Sequence, residues 1–305
     1  MIFLGIIASS SVGVAQYVTG RNLGLSLFGE ADDFYNQSIV GSSEVIRRVS
    51  GLMQHSNIFG MYLCLLLPIV YSLTFSEISK KFKYFSFFVS IVGTLGLLLT
   101  FSRAAISSFV IGMILLFAAK WKDIFKKHNV VVIYMYTGLF IALLACFWEK
   151  LTGRFLGSPS SNLSYRFLLN EAGFKMIEKH PYLGVGLNNF STQLEFYDTH
   201  NVVTRARFPA HNIFVLIASE SGLISLAIFL IFVFMVVFAG VKTYRTSSDP
   251  IARNFCIGAV CGIIGSLIQG LVDFTLMVQI FYLLFFVVCS LVLASRYSIK
   301  KALYE

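Results

Sequence analysis

Eight stretches of the chain approach the roughly 20 consecutive apolar residues that a helix needs to cross the hydrocarbon of a bilayer, which removes most folds from consideration. They are Met1 to Val18, Ser56 to Phe75, Tyr84 to Phe101, Ala104 to Ala119, Asn129 to Trp148, His211 to Ala239, Asn254 to Val272 and Thr275 to Ser295. Barrel strands would be about ten residues long and would alternate in polarity, whereas these stretches are apolar on every side. A composition of 57% hydrophobic and 13% charged residues lies far outside the range of soluble domains. The fold class expected is therefore all-α: a polytopic transmembrane helical bundle of about eight spans with one long, partly helical outer loop. Residues 1–148 would hold transmembrane helices 1 to 5, residues 149–210 the long loop, and residues 211–305 helices 6 to 8 with a cytoplasmic tail.

Lys and Arg in short loops resist export, so their distribution sets the topology. Lys80, Lys81 and Lys83, then Lys120, Lys122, Lys126 and Lys127, then Lys242, Arg245 and Arg253, and finally Arg296, Lys300 and Lys301 fall on one side, taken as cytoplasmic. The other side receives the loop Thr19 to His55, the tight Ser102-Arg103 hairpin, the long loop and the turn at Asp273. The net charge of +9 is thus mainly topological. It forms no dense patch, and no nucleic-acid partner is expected.

Met1 is followed at once by Ile2, Phe3 and Leu4, without the basic n-region or small-residue cleavage site of a signal peptide, so the chain reads as short at its N-terminus. Cysteines 64, 146, 256, 261 and 289 all fall inside expected spans and read as small apolar fillers. Asp32-Asp33 lacks the spacing of a metal-binding pair, and neither metal nor cofactor is expected. Gly184-x-Gly186 has no third glycine and no preceding strand, which leaves a tight turn rather than a dinucleotide site.

The outer loop carries the chemistry. Ser164 is placed to cap a helix running to Lys179, with Leu168, Ala172 and Met176 as its apolar stripe and a Glu171–Lys175 pair, ended by His180-Pro181. Such an amphipathic helix would lie along the membrane surface. The Gly184-Val185-Gly186 turn, a short helix through Phe190 and Phe196, and then Arg205, Arg207 and Pro209 lead to His211-Asn212 at the mouth of an apolar span. A helix start offers free N–H groups and a positive local potential, both suited to an anion. Glu220 lies about nine residues into that span, where a carboxylate is costly unless paired or protonated. At 100° per residue it faces away from His211 and reads first as a structural partner, with a network role as the second reading. Gly222 reads as a close-packing position or a place of substrate approach.

Arg166 through Phe190, followed by His211-Asn212 and Gly222, resembles the core of the O-antigen ligase and polysaccharide polymerase superfamily of membrane glycosyltransferases. Two upstream stretches resemble it as well: Arg48 through Asn57, and the hairpin Thr100-Phe101-Ser102-Arg103-Ala104. The resemblance covers about Arg48 to Leu230. Where family ligases carry a closing Gly, Thr or Tyr in the motif that begins at the histidine, this chain has Ser225. It also resembles a member lacking an even number of N-terminal helices, which leaves the charge-derived topology intact.

The resemblance implies transfer of a glycan from an undecaprenyl-diphosphate carrier to a sugar hydroxyl, outside the cytoplasmic membrane of a bacterium and without a nucleotide sugar. Partners would be the lipid-linked glycan, an acceptor glycan or glycolipid, and the bilayer. Arg103 and Arg166 would hold the diphosphate by bidentate guanidinium contacts as the anomeric C–O bond breaks. The plainer readings are an interfacial or topological arginine for Arg103 and a solvated helix residue for Arg166. His211 would act as base if kept neutral, with Asn212 orienting the imidazole or a sugar hydroxyl. Arg205 and Arg207 would guide the carrier, and His55 and Asn57 would line the cavity rim. Gly184 and Gly186 would form a turn beneath the site, with Glu220 and Gly222 as structural or network residues. A polymerase is preferred. The alternatives are an O-antigen ligase transferring to lipid A core and, from another class, a transporter or flippase of lipid-linked sugars, whose repeats and broken helices the sequence does not display.

Overall fold

The computed structural model describes residues 1–31, 39–40, 45–126, 129–156, 160–198 and 208–304. Each expected apolar stretch is a helix: α1 Ile2–Thr19, α2 Ser56–Thr74, α3 Lys80–Leu99, α4 Arg103–Ile124, α5 Val130–Leu156, α8 Ile213–Thr246, α9 Pro250–Gly270 and α10 Gln279–Tyr304. Between them lie α6 Ser160–Lys179 and the short α7 Phe190–Gln193. A two-residue antiparallel ladder, Ile39–Val40 with Val45–Ile46, is the one departure from helix and turn among the described residues. Seven of these helices are long and apolar enough to span a membrane, which makes the chain an all-α polytopic bundle. The eighth expected span is α5, whose 27 residues rise about 40 Å and carry the helix eight residues beyond Trp148. That shortens the outer loop from its N-terminal side.

The chain divides into two compact units, residues 1–158 with 239–266 and 285–305, and residues 159–238 with 267–284. In the first, α2 is the central helix, with 83% of its apolar stretch buried. Close approach to α9 explains why: a Cβ added at Gly258 would stand 2.5 Å from the Ile69 Cα, and one at Gly262 would stand 2.0 Å from the Leu65 carbonyl oxygen. Small residues one turn apart let two backbones pack this closely in a bilayer, where no hydrophobic force draws helices together. Described cysteines 64, 256, 261 and 289 are buried fillers, as expected.

Two lysines in the topological set have a structural role as well. Lys83 is nearly buried and donates to Asn129 Oδ1. Lys120 is 1% exposed, and its ammonium donates to the Ser72 carbonyl at 2.7 Å and to Asn254 Oδ1, joining α4 to α2 and α9. Removing one partner of a buried charge strands it. Asn254→Leu is therefore expected to cost about 3 kcal/mol, while Lys120→Met in the same background restores most of it. Thermal unfolding of the two variants in detergent checks this; equal midpoints for Asn254→Leu and the unaltered chain would refute it.

The first outer loop is pinned by Gln16, which is fully buried in α1. Its amide donates to Glu30 Oε1 at 2.8 Å, and its oxygen accepts the N–H groups of Ser50 and Gly51. Burial would raise the Glu30 carboxyl, but hydrogen bonds from Gln16, Leu23 and Leu25 outweigh it and hold the pKa below the usual range. Asp32-Asp33 lies outside the described residues.

Candidate active site

The second unit is built around α6. Its buried stripe is Leu169, Ala172 and Met176, packed on Phe190, Leu194, Ala210, Val215 and Leu216. The expected stripe began one residue earlier, at Leu168, which is only partly buried. The face assigned to the membrane surface is thus covered by protein. Glu171 and Lys175 pair at 2.6 Å as anticipated, and the helix ends at Lys179 before His180-Pro181. Ser164 is not its cap, because the helix begins at Ser160 and Ser164 lies one turn inside.

Beyond α6 the chain turns through Gly184 and Gly186, at φ 67° and 106°, and docks on a break in α8. Gly222 has φ 85° and ψ 167°, so the span expected to be uninterrupted is two helices in series. Three of the freed groups are taken up by the loop. Val185 N–H donates to the Ser219 carbonyl at 2.8 Å, Gly186 N–H to the Glu220 carbonyl at 2.9 Å, and Leu223 N–H to the Pro181 carbonyl at 2.8 Å. A Cβ at Gly184 would stand 2.3 Å from the Glu220 carbonyl carbon, and one at Gly222 only 1.8 Å from the Tyr182 oxygen. Glu220, 6% exposed, completes the joint: its carboxylate accepts the N–H groups of Asn188 at 3.0 Å and Phe190 at 3.1 Å. The close neighbour at Gly222 is therefore a loop rather than another helix. That loop is held there by backbone hydrogen bonds.

His211 and Asn212 precede the first helical residue, Ile213. Asn212 is the N-cap, its Oδ1 accepting the N–H groups of Phe214 at 2.9 Å and Val215 at 3.2 Å. These are N–H groups that the helix start was expected to offer an anion, so the positive charge at the site falls chiefly to a side chain. Arg166 supplies it. Its guanidinium donates to the Val272 carbonyl at 2.8 Å, just past the end of α9, and its field reaches His211. The imidazole is edge-on to Phe274, with centroids 5.1 Å apart, and to Phe208 at 6.5 Å. Burial and the Arg166 charge drive the His211 pKa down to about 4, against opposing pulls from Asp273 and the Pro209 carbonyl. The imidazole is neutral at physiological pH. Because the unfolded chain takes up the proton first, His211 costs the fold stability as pH falls from about 6.5 to about 4.

In the first unit, Arg103 opens α4 after a three-residue connection from Leu99. Ser102 caps that helix by accepting Ala105 N–H, and Phe101 turns the chain at φ 45°. Arg48, buried in the stretch before α2, donates to the Thr100 carbonyl at 2.8 Å and to Asn57 Oδ1 at 2.5 Å. The hairpin is thereby fixed to the segment that sequence resemblance had singled out.

Residues 87–230 match the family model described as O-antigen ligase. Over that stretch, just under half of its length, the chain is similar to this family. No individual curated protein sequence matches the chain. The O-antigen ligase match takes in Arg103, Arg166, both loop glycines, His211, Asn212, Glu220 and Gly222, whereas Arg48 to Asn57 lies upstream of it. The likeness points to a glycosyltransferase-type enzyme of polysaccharide biosynthesis, and the seven apolar helices fit a multi-pass membrane protein.

Within the stretch similar to O-antigen ligase, the structure brings Arg166 and His211 together and places Asn212, Glu220, Gly184, Gly186 and Gly222 at structural joints of the same unit. His55 is exposed and caps α2, its Nδ1 accepting Asn57 N–H at 3.1 Å, while the Asn57 carboxamide is engaged by Arg48. Arg205 and Arg207 lie outside the described residues. Asp273 went unnoticed except as a turn residue. It is 3% exposed, accepts Thr275 Oγ1–H at 2.6 Å and acts on His211. Its Asp-x-Thr spacing signals a side-chain-stabilised turn, but only the fold reveals what the carboxylate faces.

Proposed function

We propose that the chain transfers a glycan from an undecaprenyl-diphosphate carrier to a sugar hydroxyl, at the outer face of the bacterial cytoplasmic membrane and without a metal ion, extending repeat units as a polymerase. The observation that carries this reading is a neutral His211 beside the Arg166 guanidinium at the start of a span. The acceptor oxygen attacks the anomeric carbon and gives its proton to the imidazole. The bond from that carbon to the carrier oxygen breaks, and the diphosphate leaves with the electron pair. Arg166 spends one N–H on Val272 and keeps the rest of its fork for the departing charge. Arg103 is proposed as a further cation for the diphosphate, with Asn212, Arg205, Arg207, His55 and Asn57 as substrate contacts.

The test is to incubate the purified full chain with lipid-linked repeat units in chelator. A ladder of extended products is expected, with Arg103→Ala and Arg166→Ala each slower by about 100-fold or more. Undiminished ladders from both variants would sink the cation assignment. Single transfer to lipid A core, without a ladder, would make the enzyme a ligase. Movement of the lipid-linked sugar across the membrane with no new glycosidic bond would favour a transporter. The one break seen in the described spans offers that reading little, since the loop from Pro181 to Gly186 fills it.

A further inference from the structure

The two halves of α8 have different surroundings. No residue from Ile213 to Gly222 is exposed, and α6 and the loop that follows it lie against that half. Past the break an exposed apolar stripe begins at once, with Leu223, Ile224, Ile228, Ile231, Phe234 and Phe238. From Leu223 to Lys242, the first charged residue beyond the break, the helix rises about 30 Å, the thickness of a hydrocarbon core. That leaves Gly222 at the boundary of the hydrocarbon on the His211 side.

The loop seated on Gly222 shares that level, since it is bonded to Ser219, Glu220 and Leu223. Its sequence suits the place. Pro181 through Phe190 holds no charged side chain, and three large apolar side chains stand out from it: Tyr182, Leu183 and Leu187 are 71%, 80% and 77% exposed. Their transfer from water to hydrocarbon is favourable in proportion to that open area. The main chain is equipped for the same layer. Irregular backbone enters a membrane only where protein satisfies its polar groups. Here the N–H groups of Gly184, Val185, Gly186, Asn188, Asn189 and Phe190 all bond within the protein, those of Asn188 and Phe190 to the Glu220 carboxylate. Tyrosine is also favoured where hydrocarbon meets headgroups, since its ring is buried while its hydroxyl stays wet.

We infer that the Tyr182-Leu183 tip and Leu187 dock in the bilayer itself, at the hydrocarbon boundary on the His211 side, as a lipid anchor for the loop. The occupant of this surface is phospholipid, because Pro181, next to the tip, is bonded to Leu223, where the lipid-facing stripe of α8 begins. The anchor fixes the depth of its unit: Phe190, at the end of the loop, packs on α6, the helix that carries Arg166. It does not depend on the glycan chemistry.

The test places a photoreactive benzoylphenylalanine at Leu183 or, separately, at Leu187 of the full chain in nanodiscs of phosphatidylglycerol and phosphatidylethanolamine, with adducts identified by mass. Two further positions calibrate it: exposed Glu195, beyond the loop, and Ile228, within the stripe. Phospholipid adducts at Leu183 and Leu187 are expected to approach the yield at Ile228, with almost none at Glu195. Leu183→Asp brings a charge to the boundary and should remove most adducts at Leu187 while leaving those at Ile228. Yields at Leu183 and Leu187 no higher than at Glu195 would overturn the inference, as would full yield at Leu187 in the Leu183→Asp chain. Covalent dimers in place of lipid adducts would overturn it too, since the surface would then belong to a second copy of the chain.

Discussion

Gly222→Ala is expected to lower stability by about 4 kcal/mol, a heavy penalty for one methyl group. Two costs coincide at this position. At φ 85° and ψ 167° an L side chain is strained in place, and the added Cβ would lie 1.8 Å from the Tyr182 carbonyl oxygen and 2.3 Å from its carbon. Neither neighbour is the tip of a flexible side chain, so the clash is relieved only by backing the loop away. That movement would break the bonds from Leu223 to Pro181, from Val185 to Ser219 and from Gly186 to Glu220, exposing backbone groups in a span where little water can satisfy them. A suitable control is Gly138→Ala in α5, where nothing lies within 4 Å of the added atom. The control should match or slightly exceed the unaltered chain in unfolding midpoint, since alanine is the better helix former. For Gly222→Ala, loss of the folded, monodisperse species in detergent and rapid proteolysis near Gly184 are expected. A midpoint within error of the control would show that the break at Gly222 is not a required conformation.

Eight spans were expected and seven helices qualify, legible because hydrocarbon thickness imposes one length and one polarity on every crossing helix. The break in α8 was not. A glycine in an apolar run looks the same whether it admits a neighbouring helix or abandons helical φ, and here the decision rests with acceptors and donors on the Pro181 to Gly186 loop. Glu220 illustrates the same limit: its helical angle correctly turned it from His211, yet its partners are the backbone N–H groups of Asn188 and Phe190, which carry no side-chain signature. Lys120 had the position of a topological lysine, and only the packing of three helices shows it bonded to Ser72 and Asn254. At the candidate site, the histidine and arginine were visible as residue types at family positions. The N-cap role of Asn212 and the field of Asp273 depend on geometry that sequence spacing leaves open.

His211→Ala is expected to slow glycan transfer by 10²–10⁴-fold, the usual contribution of a positioned base, with little change in the amount of folded protein. Loss of rate alone would not separate a base from a residue that shapes the pocket, but the acid limb of the pH profile does. A histidine in water titrates near 6.5, and a base of that kind would lose activity as pH falls through 6. Burial and Arg166 hold His211 at about 4, so kcat/KM of the free enzyme should stay level from neutrality to about pH 5 and fall only below that. The neighbours move this limb in opposite directions. Arg166→Gln removes a charge that opposes protonation and should shift the limb upward, whereas Asp273→Asn removes one that favours it and should shift the limb further down. A pocket-shaping histidine would leave the limb fixed in both variants, and a limb near 6.5 in the unaltered enzyme would remove His211 as the base. Under the proposed mechanism one charge would serve two demands: Arg166 would suit a leaving diphosphate while, with burial, it lowers the His211 pKa and so leaves the imidazole free to accept a proton.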